Sequence, residues 1–156
     1  MGAVTLGVGP AWPGRTPDGA QPAALAGAQH VSYRGVQMDV PAGWELNPKD
    51  PCDPHGRDRV INSDALLRVL CAGPADAATQ VGQQVLFGAE DAGPSATVRP
   101  FSVDGIRGTL ASGTNVQKGM AERALVLPTL GFSVLIEARS AALADRIVAS
   151  ALVIAP

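Results

Sequence analysis

The sequence predicts an α+β fold in which an antiparallel sheet of about six or seven strands has one C-terminal helix packed on it. Three observations support this fold class. Apolar and polar residues alternate over residues 31–46, which is the period of a half-buried strand. Short apolar stretches follow one another through residues 96–138, with a tight-turn signal at Asp104-Gly105. Apolar residues then recur at helical spacing over residues 141–151.

Composition and charge restrict the classes of protein that the chain can represent. Its 156 residues suit one folded domain, which we place at residues 30–156. Residues 1–29 are rich in Gly, Ala and Pro and are interpreted as a flexible linker or the remnant of an export or anchor segment. The chain has a net charge of −2, and its sequence contains no cluster of basic residues, so no nucleic-acid partner is expected. No apolar run reaches the roughly 18 residues of a transmembrane helix, so membrane contact is expected only through an anchor encoded upstream.

The stretch VSYRGVQMDVPAGWEL is expected to open the folded domain as one strand. Its alternation slips at Gly35, and a glycine at such a slip predicts a β-bulge. Pro41 and Gly43 predict a turn, because proline pre-sets φ and glycine accepts a positive φ. Trp44 follows at once and is expected to cap the core.

The middle of the chain predicts short strands separated by loops. Residues 47–59 are rich in proline and aspartate and read as a loop. Residues 60–61 and 65–71 predict two strands joined by a turn at residues 62–64. Residues 83–87 predict a further, weaker strand.

The second half of the chain has clearer strand signals. Pro100 predicts that the strand at residues 96–101 lies at a sheet edge, since proline cannot donate a ladder hydrogen bond. A strand at residues 106–112 follows the Asp104-Gly105 turn, and two more strands form a hairpin around Pro128-Thr129. The last of them, FSVLIEA, is almost continuously apolar, which indicates a central strand covered on both faces.

The end of the chain predicts a capped amphipathic helix. Ser140 is a favourable N-cap residue. Leu143, Ile147 and Val148 follow it at helical spacing. Residues 152–154 are apolar and predict either the end of this helix or a last short strand.

Two stretches, SYRGVQMDVPAGWEL and FSVLIEARSAALADRIVASALVI, resemble the PsbP-like superfamily, in particular the secreted or lipid-anchored single-domain members of actinobacteria. The resemblance covers roughly residues 30–155, and its specific parts are residues 39–44 and the closing helix. It implies a curved antiparallel sheet in an α/β/α sandwich, with accessory or protein-binding roles and no shared catalytic residues. Residues 72–83 depart from the family, because they have little helical signal for a second helical layer.

The two cysteines, Cys52 and Cys71, predict a disulfide. The bond would close a loop of about 20 residues and contribute roughly 3 kcal/mol in the chain-entropy model. Persistent disulfides belong to oxidising compartments, so an extracytoplasmic location, secreted or membrane-tethered, is expected. The alternative is a pair of free thiols buried as small apolar groups.

A metal site is not expected in the loop at residues 47–59. The motif Cys52-x-x-His55 has no second ligand pair, because Cys71 stands alone and only an aspartate of the loop could complete the set. Calcium would need the regular spacing of an EF-hand loop, which the aspartates of this loop lack. These aspartates are Asp50, Asp53 and Asp58.

No catalytic or cofactor-binding residues are predicted. His30 and His55 are the two histidines, and the chain has no G-x-S-x-G elbow for a serine nucleophile. Glu137 ends the most apolar strand and is expected to form a cross-strand ion pair with Arg139 or Arg123.

The sequence therefore predicts a non-enzymatic accessory or protein-binding domain, secreted or tethered at the cell surface, with an unidentified protein partner. The alternative is a small-molecule-binding or hydrolytic domain with its site in the loop at residues 47–59.

Overall fold

The computed structural model describes residues 27–49, 57–62, 82–90, 92–93 and 95–154. These residues form two sheets, one α-helix and one short 3₁₀ helix (Pro128–Leu130). The strands are β1 (Ala28–Tyr33), β2 (Val36–Pro41), β3 (Glu45–Leu46), β4 (Arg59–Ile61), β5 (Gln84–Phe87), β6 (Thr97–Val103), β7 (Ile106–Asn115), β8 (Met120–Leu127), β9 (Phe132–Ala138) and β10 (Leu152–Val153), and the α-helix is α1 (Ala141–Ala149).

The larger sheet has seven strands in the order β3-β4-β5-β9-β8-β7-β6, and the smaller sheet has the order β1-β2-β10. A mostly β structure with one C-terminal helix, as the α+β prediction requires, is confirmed for the part of the chain that the structure describes. The prediction of one antiparallel sheet is wrong in two respects. The pairs β3–β4 and β4–β5 are parallel, and β1, β2 and β10 form a separate sheet. Strands of two or three residues are too short to show a period in the sequence, so their pairing could not be deduced.

The opening stretch forms a hairpin of two strands, so the prediction of one strand with a bulge is wrong. Strands β1 and β2 pair antiparallel around Arg34 and Gly35, whose φ angles are 48° and 83°. Two positive φ angles define the type I′ turn, whose twist matches that of the flanking strands. The slip in alternation at Gly35 is thus the mark of a two-residue turn.

The turn after β2 brings Trp44 into the core. The Trp44 backbone N–H donates to Pro41 O at 3.0 Å, and the Trp44 side chain is only 6% exposed. The Gln29 side chain donates to the carbonyl oxygens of Pro41 and Trp44. Gly43 has no positive φ, so this turn does not depend on the conformational freedom for which the sequence favoured glycine.

The main core lies between one face of the larger sheet and a layer formed by α1 and the smaller sheet. Helix α1 packs on β8 and β9 and also contacts β2. The rings of Tyr33, Phe87 and Phe132 meet in this core with centroids 5.5–6.2 Å apart. Most of the other residues of this core are aliphatic.

The central strand and the helix follow their predictions. All seven residues of β9 are buried between β5 and β8, as expected for a strand covered on both faces. The Ser140 hydroxyl caps α1 by accepting from the Leu143 N–H at 2.9 Å. Of the two alternatives for residues 152–154, the short strand is correct, because β10 pairs with β2.

Several predicted features lie outside the described residues. They are most of the linker at residues 1–29, the strand at residues 65–71, and most of residues 72–83, where the resemblance would require a second helical layer. Among the described helices, none is both long and apolar enough to cross a membrane.

Candidate functional site

Several residues singled out from the sequence fall outside the described residues, among them Cys52, His55 and Cys71. The disulfide and the alternative site in the loop at residues 47–59 therefore remain predictions. The described ends of this loop are joined to neighbouring strands. Asn47 exchanges side-chain and backbone hydrogen bonds with Asn62 at 2.7 and 2.9 Å.

His30 lies on β1 directly opposite Asp39 on β2. Its Nδ1 contacts Asp39 Oδ1 at 2.5 Å, and the His30 side chain is 64% exposed. This histidine therefore takes part in an exposed cross-strand pair, which is a common way for strands to stabilise each other.

Glu137 does form an ion pair, but the predicted partners are wrong. Its carboxylate accepts from Lys118 Nζ at 3.0 Å. Arg123 instead contacts Asp145 of α1 at 2.8 Å, and Arg139 lies 3.6 Å from Asp58. Arg123 lies opposite Ile136 of β9, one position from Glu137. Because alternate residues of a strand face opposite sides of the sheet, the Arg123 side chain faces the helix and the Glu137 side chain faces the other side.

A second carboxyl, which the sequence analysis did not single out, lies beside Glu137. Glu122 of β8 is its direct cross-strand neighbour, and the two side chains hydrogen-bond to each other. Glu122 is 7% exposed and Glu137 3% exposed. Gln84 of β5 donates to Glu137 Oε1, and Asn115 of β7 donates to Glu122 Oε2 at 3.5 Å. We call these four side chains and Lys118 the buried carboxyl cluster.

The two carboxyls of this cluster have different affinities for a proton. Burial is the largest cause that raises the pKa of Glu122, and together with the hydrogen bond and negative charge of Glu137 it brings this pKa from 4.5 to about 7. Burial alone would also raise the pKa of Glu137, but hydrogen bonds from Glu122, Lys118 and Gln84 and the positive charge of Lys118 outweigh it. The pKa of Glu137 is therefore lowered.

Enzymes use carboxyl pairs with separated pKa values as acid and base. Here both side chains are more than nine-tenths buried, so a substrate could not contact them in this conformation. Among the described residues, no three His, Cys, Asp or Glu side chains are grouped to hold a metal ion.

Strand β6 forms one edge of the larger sheet. This strand lies at the end of the sheet and, in the described part of the chain, pairs with β7 alone, which confirms the edge position predicted from Pro100. The β6–β7 hairpin closes with a two-residue turn, so the residue pair next to this turn exchanges both backbone hydrogen bonds. Along β6, the backbone N–H and C=O groups of every second residue therefore point away from β7. The residues with such outward backbone groups are Val98, Pro100 and Ser102. Pro100 thus stands where an N–H would point to solvent.

The outer part of β6 is exposed on both faces of the sheet. Residues 97–100 are all exposed, and Val98 is 61% exposed. The Arg99 guanidinium lies 5.1 Å from the centre of the Phe101 ring, and Arg107 is exposed on the neighbouring strand. We call this exposed edge, with Arg99 and Arg107, the β6 edge.

No family model matches this chain, and neither do the curated proteins or the solved structures with which it was compared. The resemblance to the PsbP-like superfamily therefore rests on the sequence motifs alone.

Proposed function

We propose that this chain is a non-enzymatic accessory domain that binds an extended segment of a partner protein along the β6 edge. The observation that carries the proposal is the row of outward backbone groups on β6. Val98 and Ser102 each present an N–H and a C=O there, and a partner strand can pair with both residues. The proposal agrees with the roles that the PsbP-like resemblance implies.

The chemistry of the edge favours an acidic partner segment. Arg99 and Arg107 contribute its positive charge, while the nearby Asp104 carboxylate accepts a hydrogen bond from the Val153 N–H. Opposite charges on neighbouring strands stabilise pairing, and like charges oppose it. This applies directly to Arg99, because β6 would adjoin the partner strand, while Arg107 lies one strand further away. A second copy of β6 is a poorer occupant. Pairing β6 with a second β6 would place two Pro100 residues, which have no N–H donor, and two positively charged Arg99 side chains on neighbouring strands.

The test uses a display library of extended peptides with acidic, neutral and basic members, selected on the purified chain. We expect acidic peptides to be enriched. Replacing Val98 with Pro removes an outward N–H without removing a β6–β7 hydrogen bond, so the fold should persist. Val98→Pro should weaken peptide binding by roughly tenfold, about the value of one hydrogen bond. Fluorescence anisotropy with a selected peptide measures the change.

Val98→Thr is the matched control, because it keeps the β-branched shape and the backbone N–H. It should bind the selected peptide about as tightly as the wild type. Arg99→Glu should weaken binding of acidic peptides while leaving β6 in place. The proposal fails if acidic peptides are not enriched, or if Val98→Pro binds the selected peptide as tightly as Val98→Thr.

The proposed location is extracytoplasmic, secreted or membrane-tethered, and it rests on Cys52 and Cys71. A thiol count by intact mass on the unfolded chain, with and without reductant, tests it. Labels that attach only after reduction support a disulfide and an oxidising compartment. Two labels without reduction contradict both.

A further inference from the structure

The buried carboxyl cluster contains two acidic groups and one basic group. Lys118 is 7% exposed at its side chain and contacts Glu137 directly. One lysine balances one carboxylate, so a second ionised carboxyl would leave an uncompensated negative charge away from water. Such a charge is strongly unfavourable in a protein interior.

Among the residues that the structure describes, no second positive charge contacts Glu122. Gln84 and Asn115 are neutral amides that donate to the carboxyls. Arg59 of β4 reaches the cluster through Gln84. Its Nε donates to Gln84 Oε1 at 3.1 Å, so the amide lies between this guanidinium and the carboxyl pair.

Two further arginines of the described strands have other carboxylate partners. Arg123 contacts Asp145 on the helix side of the sheet, and Arg139 lies 3.6 Å from Asp58 at the end of β9. Charge balance within the described residues therefore leaves the second carboxyl to be neutralised by a proton.

We propose that Glu122 and Glu137 form a buried proton-binding site, in which one shared proton compensates for the carboxyl charge that Lys118 leaves unbalanced. The folded domain then holds a proton that the unfolded chain releases, and folding is favoured at weakly acidic pH.

The sign of the pH dependence follows from the Glu122 carboxyl. The unfolded chain loses this proton near the ordinary pKa of 4.5, and the folded chain loses it near a pKa of about 7. The stabilisation is therefore complete below pH 4.5 and is lost as the pH rises toward 7.

Infrared spectroscopy of the wild-type chain with isotopically labelled glutamate tests the proposal directly. At about pH 6 exposed glutamates are ionised, so a protonated carboxyl band reports an unusual group. We expect one such band in the wild type, its loss as the pH rises above about 7, and its absence at pH 6 in Glu122→Gln. A wild type without the band at pH 6, or a band that survives in Glu122→Gln, overturns the proposal.

Denaturant unfolding as a function of pH gives a second readout. Between about pH 5 and pH 7, release of one proton should raise the wild-type unfolding equilibrium constant by about 40-fold relative to that of Glu122→Gln. Glu45→Gln is the matched control, because Glu45 is exposed on β3, and it should keep the wild-type dependence. Equal pH dependence in the wild type and Glu122→Gln contradicts the inference.

Discussion

Gly108 of β7 shows how one hydrogen atom in place of a side chain allows two strands to approach. A Cβ at this position would lie 1.9 Å from Val126 O and 2.7 Å from Leu127 Cδ2. Backbone atoms cannot give way as the end of a flexible side chain can. The close approach of β7 to the end of β8 therefore requires glycine here.

We expect Gly108→Ala to lower the free energy of unfolding by about 2 kcal/mol or more, because the added methyl group overpacks a backbone contact. Gly43→Ala is the matched control. Its φ is not positive and a Cβ there meets nothing within 4 Å, so its effect should stay within about 0.5 kcal/mol. Denaturant unfolding measures both, and equal stability of the two variants would contradict this account.

At the scale of residues, part of the buried carboxyl cluster could have been predicted. In the β8–β9 hairpin, Leu127 lies opposite Phe132. Counting the same number of residues away from the turn along each strand leads to Glu122 and Glu137, so the hairpin places the two carboxyls side by side. Lys118 could not be predicted in the same way. It lies in the loop before β8, and the direction of a long side chain from a loop has no periodic signal.

At the scale of elements, helix α1 is defined at both ends by serines. Ser140 caps its first turn, and the Ser150 hydroxyl accepts from the Asp39 N–H at 2.8 Å. The second contact fixes the end of the helix against β2. The cap could be predicted, because it depends on neighbours in the sequence. The contact with Asp39 could not, because it joins residues far apart in the chain.

Ser140→Ala should lower the free energy of unfolding by about 1 kcal/mol, since the Leu143 N–H loses its capping acceptor. Ser140→Asp provides the comparison, because it keeps an acceptor and adds a negative charge at the helix N-terminus. Thermal unfolding of the three proteins measures the effect. If Ser140→Ala were as stable as the wild type, the cap would not contribute as described.

At the scale of the whole molecule, Asp104 joins the two sheets. It belongs to the tight turn between β6 and β7, with a φ of 48°, and its Oδ2 accepts from the Val153 N–H of β10 at 2.8 Å. The turn signal could be predicted from Asp104-Gly105, as could the β6–β7 hairpin. The contact with β10 depends on how the two sheets pack, which no local pattern describes.

Asp104→Gly should lower the free energy of unfolding by about 1–2 kcal/mol, because glycine tolerates the positive φ but provides no acceptor. Asp104→Asn keeps both the tolerance of the left-handed conformation and a side-chain oxygen, so it should lose less. Amide hydrogen exchange at Val153 locates the effect. Unchanged exchange there in Asp104→Gly would show that this contact does not hold β10.

The smaller sheet also affects the order in which the chain can fold. Strand β2 lies between β1, its neighbour in the sequence, and β10, which is synthesised near the end of the described chain. A nascent chain can form the β1–β2 hairpin early, but β2 gains its second neighbour only after residues 152–153 have left the ribosome. Contacts between such distant residues slow folding. The smaller sheet is therefore completed after the rest of the described chain has been synthesised, and until then one edge of β2 is open to other nascent chains.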